Sequence, residues 1–265
     1  MSVAIAVTIA GSDSSGGAGI EGDLKTFSAL GVYGGAVVTA VTAQNTERVL
    51  AIHEVPADFI GKQIDAVLSD LDAGAVKIGM LGSAAAVREV IAALERHHPR
   101  NVVLDPVMVA SSGDQLLKVE ALDSLRELIA RVDLVTPNLL EAATLLHTVN
   151  ARGEDEMLEQ ARKLKTTGVG AVLIKGGHGG GPESVDLLVS DDGCIRLAAP
   201  RVATKNTHGT GCTFASAIAA GLAKGFPLER AARDAKTYIS AAIAAADRLG
   251  VGSGRGPVHH FHDRW

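Results

Sequence analysis

The sequence predicts an α/β fold with a mostly parallel, doubly wound sheet, on three observations. Short β-branched runs alternate with longer helical patterns along all 265 residues. Hydrophobic residues make up 47% of the chain but aromatics only 3%, so the core is built of Ala, Val, Leu and Ile, which suits helices layered on a parallel sheet. Glycine-rich segments follow several of the strands, where such sheets bind their ligands. No long linker and no fixed-period repeat interrupts the pattern, so residues 1–265 are read as one domain.

In chain order, Val3–Ile9 reads as a strand and Gly22–Leu30 as the helix after it. Ala36–Thr42 is a second strand and Val49–Val55 a short third, ended by Pro56 and followed by a helix from Ala57 to about Leu71. Ala75–Ile78 and Ala84–Arg96 form the next strand and helix, then Asn101–Leu104 and Val119–Arg131. Leu134–Val135 is a brief strand, and Thr136-Pro137-Asn138 opens a helix with proline near its start. Glu154–Thr166 is helical and Ala171–Lys175 a buried strand. Ser184–Ser190 and Cys194–Ala198 flank Asp191-Asp192-Gly193 and read as a hairpin. Two Ala-rich helices, Gly211–Lys224 and Leu228–Arg248, precede a Gly-rich tail.

Bulk properties exclude several function classes. A net charge of −5 and a pI near 6.0 argue against nucleic-acid binding. No apolar stretch of about 20 residues is present to span a bilayer. Val3–Ala10 is not preceded by basic residues and leads into a Gly/Ser loop, so it reads as a strand rather than a signal peptide. Cys194 and Cys212 are too few for a disulfide framework and fit a reducing, cytoplasmic setting.

Three loops carry the chemistry. The first, Gly11–Gly19, has glycines spaced as in a P-loop, but Gly17-Ala18 stands where Lys and Ser/Thr are required. Gly17-x-Gly19-x-x-Gly22 matches a dinucleotide fingerprint, yet several residues separate it from the strand, which weighs against a Rossmann turn. The second, Lys175–Gly181, is bare enough to approach a nucleotide closely, or to be a plain surface turn. The third, Asn206–Cys212, runs straight into an apolar helix, so unpaired amides and the positive helix end converge as an anion hole. A helix start with a Gly-rich lead-in and no anion would look similar.

Taken together these segments resemble the ribokinase superfamily, and within it the hydroxymethylpyrimidine/phosphomethylpyrimidine kinases of thiamine biosynthesis. The resemblance rests on AGSDSSGGAGIEGDLKTF (10–27), TAVTAQNT (39–46), VKIGMLGS (76–83) and VVLDPVMVASSGDQLL (102–117). It continues in DLVTPNLLEA (133–142), VLIKGGH (172–178), NTHGTGCT (206–213) and GPVHHFH (256–262), all in order over nearly the whole chain. Ser15, Glu21-Gly22 and His259 depart from the usual family pattern without removing an evident chemical group.

The resemblance implies a ribokinase-like three-layer sandwich and an ATP-dependent kinase acting on 4-amino-5-hydroxymethyl-2-methylpyrimidine and then on its monophosphate. It implies that Cys212 stands where the superfamily places its catalytic base, partly ionised by the helix N-terminus, with Gly209, Thr210 and Gly211 offering amides to the γ-phosphoryl. Asp105 and Glu141 are implied for Mg²⁺ or its water shell, and Lys175 for ATP phosphates, with Lys236 and Thr207 as further ATP-side residues. Gln44 is implied for the aminopyrimidine edge, with Gly11, Asp23, Met80 and Val107 around it. His259, His260 and His262 make a poor zinc pattern and receive no metal. The family is commonly dimeric, so a homodimer is expected. Two rival readings stay open: a pyridoxal kinase of the same branch, and a non-catalytic pyrimidine sensor.

Overall fold

The computed structural model describes residues 3–110, 113–177 and 179–265. The elements run β1 (Ile5–Asp13), α1 (Gly19–Ala29), β2 (Tyr33–Gln44), β3 (Val49–Glu54), α2 (Ala57–Leu68), β4 (Ala75–Ile78), α3 (Ala84–His97) and β5 (Val102–Leu104). They continue α4 (Leu122–Ile129), β6 (Leu134–Val135), α5 (Leu139–Leu146), α6 (Glu154–Lys165), β7 (Ala171–Lys175), β8 (Glu183–Ser190), β9 (Gly193–Pro200), α7 (Thr210–Ala223) and α8 (Leu228–Ala244).

The strands form one sheet in the order β3-β2-β1-β4-β5-β6-β7-β8-β9. Six strands, β2-β1-β4-β5-β6-β7, pair in parallel; β3 at one edge and β8–β9 at the other are antiparallel. From β1 the chain steps outward to β2 and β3, then returns to the other side of β1 as β4. The direction of winding therefore reverses between β1 and β4, the point at whose carboxyl ends sheets of this class bind their ligands.

Alternation along each strand sorts the core into two layers. On β1, Val7 and Ile9 face the α2–α6 side, while Ala6 faces α1, α7 and α8. On β4, Val76 and Ile78 take the first side and Ala75 the second. Helix α7 is buried nearly all round, which explains its run of alanines. At Gly221 a Cβ would lie 2.8 Å from that of Ala231, so α8 sits closer than any side chain there would allow.

Expected and observed elements differ mostly at their ends. The strand placed at 3–9 continues to Asp13, because after a bulge at Ala10/Gly11 its backbone keeps pairing with Ala40–Thr42. Helix α1 starts at Gly19, three residues before the expected Gly22. The helix expected over 119–131 is a 3₁₀ turn, Val119–Ala121, followed by α4, and α8 ends in a 3₁₀ turn at Ala246–Arg248.

Candidate functional site

Gly209 is the N-cap residue of α7 and makes no side-chain cap. Its φ of 78° and the position of Gly17, whose carbonyl oxygen would lie 1.9 Å from a Cβ at Gly209, make glycine obligatory there. Thr210 turns inward: its amide and hydroxyl both donate to the Thr207 carbonyl, at 3.2 and 2.7 Å. The amides of Gly209, Gly211 and Cys212 have no acceptor among the described residues. This corrects the expected donor set, in which the Thr210 amide took the place of Cys212's. The three amides sit at the positive end of a 14-residue helix.

Beside them lies a charged group from three neighbouring strands. Asp105 follows β5, Lys175 ends β7, and Glu141 lies in the first turn of α5 after β6. Lys175 Nζ donates to Asp105 Oδ1 at 2.5 Å, and Thr136 Oγ1 approaches the same oxygen at 3.4 Å. A Cβ at Gly211 would stand 3.2 Å from Lys175 Nζ and 3.6 Å from Asp105 Oδ2, which places both over the α7 N-terminus. Burial alone would depress the Lys175 ammonium, but Asp105 and Glu141 outweigh it and hold its pKa above the ordinary value.

Glu141 closes a capping box with Asn138: its carboxylate accepts the Asn138 amide at 2.8 Å, and its own amide donates to Asn138 Oδ1 at 2.9 Å. Burial lifts its pKa to about 7, with Lys175 opposing and Asp105 adding. Two carboxylates crowded against one lysine form a site that a cation would relieve. Two carboxylates are a donor set that fits Mg²⁺, which keeps waters and takes few carboxylates; among the described residues no group of three or more His, Cys, Asp or Glu gathers for a metal. Because the folded pKa lies above the unfolded 4.5, ionised Glu141 costs metal-free protein stability once pH exceeds that value, and fully above about 7. Glu141→Gln is therefore expected to raise the Tm of metal-free protein at pH 8 relative to wild type, and to lose that advantage at pH 4.5. Thermal melts in chelator at both pH values check this.

Cys212 occupies the third position of α7, but its chemistry differs from the expectation. Burial pushes the thiol up to about 11; Lys77 pulls it back while Asp23 and Asp105 push it further. Lys77 and the Gly19 amide do not outweigh this burial, so the thiol is raised where the sequence suggested a lowering. Partial burial raises the Cys194 thiol as well, but it is exposed, so iodoacetamide is expected to label Cys194 before Cys212 as pH rises, with Cys212 labelling climbing toward pH 11; peptide mass spectrometry reads both sites.

Asp23, expected beside the acceptor, is wholly buried instead. Its Oδ2 accepts Lys77 Nζ at 2.8 Å and Thr8 Oγ1 at 2.6 Å, and its Oδ1 accepts Ser216 Oγ at 2.6 Å. Ser216 is one helical turn beyond Cys212, so this ion pair lies beneath the thiol as a charged floor and touches no open surface. Burial would lower the Lys77 pKa, but Asp23, then Cys212 and Asp105, hold it well above the usual lysine range.

The other residues expected on the acceptor side lie at strand ends. Gln44, Gly11, Met80 and Val107 stand at or just past the carboxyl ends of β2, β1, β4 and β5, four adjacent strands. A Cβ at Gly11 would meet Met80 Sδ at 2.9 Å, so the two are packed together at the winding reversal. Gln44 is half-buried, its side-chain oxygen accepting Thr42 Oγ1 at 3.2 Å and its backbone clasped by Ser14.

On the far side of the anion hole Lys236, expected near ATP, is committed internally. Its ammonium donates to Asp186 Oδ2 at 2.7 Å, and Asp186 Oδ1 accepts the Gly176 amide at 2.9 Å. It therefore braces the root of the second glycine loop from below, and Thr207 contributes its carbonyl to Thr210. Residue 178 of that loop lies outside the described residues.

Sequence reading missed Lys77, Asp13 and His208. A lysine inside the apolar strand Ala75–Ile78 was a visible signal for the first. Nothing in the sequence pairs Asp13 with His208, 195 positions apart.

A model of the family described as phosphomethylpyrimidine kinase matches residues 13–259. A hydroxymethylpyrimidine/phosphomethylpyrimidine kinase of Rhizobium meliloti (strain 1021) is 56% identical, over 99% of this chain and 98% of that protein. Its counterpart in Escherichia coli (strain K12) is 51% identical over 98% of each. Among solved structures, Bacillus subtilis pyridoxal kinase in an ADP complex superposes with a TM-score of 0.91 at 35% identity, over 99% of both chains. Phosphomethylpyrimidine kinase from Clostridium difficile 630 gives 0.80 at 42% identity, over 91% of this chain and all of that one.

Proposed function

Because this chain belongs to the phosphomethylpyrimidine kinase family, we propose that it moves the γ-phosphoryl of ATP onto 4-amino-5-hydroxymethyl-2-methylpyrimidine, and then onto the resulting monophosphate to give the diphosphate. One observation carries this reading. Three unpaired amides at the α7 N-terminus lie between an acceptor side, at the ends of β2, β1, β4 and β5, and a phosphate side of Lys175, Asp105 and Glu141.

In this arrangement Gln44 orients the pyrimidine edge, and Gly11 and Met80 shape the floor beside it. The Gly209, Gly211 and Cys212 amides receive the equatorial oxygens of the phosphoryl in flight, where negative charge spreads. Lys175 neutralises phosphate charge on the donor side. Asp105 and Glu141 would hold Mg²⁺ directly or through water, and the ion would supply further charge neutralisation to the phosphates. Burial raises the Cys212 thiol, so it serves the hydroxymethyl oxygen as a hydrogen-bonding partner, and the hydroxyl proton is released to water as the new P–O bond forms and the bond to ADP breaks.

A coupled ADP-release assay with Mg-ATP and separate acceptors tests the reading. Turnover of the pyrimidine and of its monophosphate is expected. Turnover of pyridoxal alone would favour the second reading, to which the pyridoxal kinase of known structure lends weight. Binding without ADP release would favour a sensor. Cys212→Ala is expected to slow the first phosphorylation more than the second, whose acceptor is already an anion; equal losses in separate assays of the two steps would count against a role for the thiol.

The same reading makes the protein a cytoplasmic homodimer. Tyr33, Val41, Leu50 and Ile52 expose apolar surface along β2 and β3, the edge a second copy would cover. No helix among the described residues is long and apolar enough to cross a membrane.

A further inference from the structure

We infer that His208 is a positioning residue for phosphoryl transfer, which locks the first glycine loop against the anion hole through Asp13 and so sets the aim of the Gly209 amide. The inference rests on the kinase reading above, and it concerns a side chain that touches neither Lys175, Asp105 nor Glu141.

Asp13, at the end of β1, has both oxygens saturated. Oδ1 accepts the Ser15 amide at 2.9 Å and the Ser15 hydroxyl at 2.7 Å; Oδ2 accepts the Gly17 and Ala18 amides at 3.1 and 2.9 Å and His208 Nε2 at 2.7 Å. Four of these bonds fold the first loop upon itself, and only the one from His208 crosses to the anion-hole loop. Both partners are buried, Asp13 at 3% and His208 at 6% exposure. Burial would raise the Asp13 pKa, yet the His208 bond, followed by those from Ser15, brings it down to about 2, so the carboxylate is ionised and Nε2 carries the shared proton.

His208 immediately precedes Gly209, and the two loops have no slack between them. A Cβ at Gly17 would lie 2.4 Å from His208 Cδ2, and one at Gly209 would lie 1.9 Å from the Gly17 carbonyl. The His208 backbone is held as well: its amide donates to Gly256 at 3.0 Å and its carbonyl accepts from Val258 at 3.2 Å. The same tail donates the Arg255 amide to Thr46, in the turn after Gln44, at 2.8 Å. The backbone fixes where the residue sits, and the imidazole fixes the distance from the acceptor-side loop to the amides that receive the phosphoryl. Misplacement of about 1 Å in such a geometry costs about a hundredfold in rate.

The test compares His208→Leu, which removes the donor, with His208→Gln, whose Nε2 reaches the same place. Calorimetry would follow Mg-ADP, and Mg-ADP with aluminium fluoride as a mimic of the phosphoryl in flight, beside steady-state kinetics and Tm. In His208→Leu, ADP affinity is expected to stay within about twofold of wild type, while affinity for the fluoride complex and kcat with both acceptors fall by about a hundredfold. His208→Gln is expected to recover most of both. Should leucine prevent folding, His208→Asn, polar but too short to reach Asp13, takes its place. Wild-type affinity for the fluoride complex in the leucine or asparagine variant would overturn the inference. So would a glutamine variant as deficient as they are, or parallel losses of ADP affinity and Tm, which mark a merely structural role. A wild-type protein that binds neither ADP nor its fluoride complex would instead overturn the kinase reading on which the inference stands.

Discussion

Gly209→Ala is expected to lower kcat by at least about a hundredfold with either pyrimidine acceptor, the size of effect seen when one preorganised donor to a transition-state anion is lost. The cause is local and steric. At a φ of 78° an alanine is strained, and its methyl would lie 1.9 Å from the Gly17 carbonyl oxygen, backbone that cannot swing aside as a side chain could. Relief requires the two loops to part, which turns the Gly209 amide away from the phosphoryl and stretches the Asp13–His208 bond. Lys175, Asp105 and Glu141 lie on other elements and keep their places, so ADP affinity should change little. Steady-state kinetics with calorimetry of ADP would check this split. A variant with wild-type kcat would mean that the anion is received elsewhere.

Lys77→Met is expected to produce the largest loss of stability, about 3–5 kcal/mol, because it leaves Asp23 in the interior without its cationic partner. At about 2–4 °C per kcal/mol for chains of this size, Tm should fall by about ten degrees. Both side chains are fully buried, so solvent cannot take the place of the lost partner. The double variant Lys77→Met/Asp23→Leu removes both charges and is expected to recover much of the loss, leaving the Thr8 and Ser216 hydroxyls to find other partners. Melting curves of wild type, both single variants and the double variant form the cycle. Equal stability of Lys77→Met and wild type would mean that the buried ion pair contributes nothing net.

The two substitutions separate what a linear reading reaches from what it does not. Gly209 belongs to a contiguous segment, Asn206–Cys212, whose composition announces backbone amides meeting an anion. Lys77 is one lysine in a four-residue strand, and its meaning depends on Asp23, which stands 54 positions earlier. The periodicities that mark strands and helices are local, so the sheet, its layers and the late hairpin were legible. Lys175 stood out as a charged residue closing a buried strand, whereas Asp105 before Pro106 and Glu141 in a first helical turn have plain structural readings, so only the family resemblance pointed to them. What the sequence did not show for Asp23 and Lys236 has a matching reason: a charged side chain looks available until its partner is known, and Asp23 with Lys77, and Lys236 with Asp186, are paired from distant parts of the chain.

The α/β class, the order of elements and the three loops after strands follow from local pattern, because hydrophobic period and glycine placement act within a few residues. The order of strands across the sheet, and with it the reversal between β1 and β4 that brings the loops together, follows from long-range pairing. The fold also sets the protonation of the site. The thiol of Cys212 is raised and not lowered, and Glu141 is lifted to about 7, because burial and the charges of Lys77, Asp23, Asp105 and Lys175 act through space. A titration is a balance of desolvation against neighbouring charge, and neither quantity exists until the chain has folded.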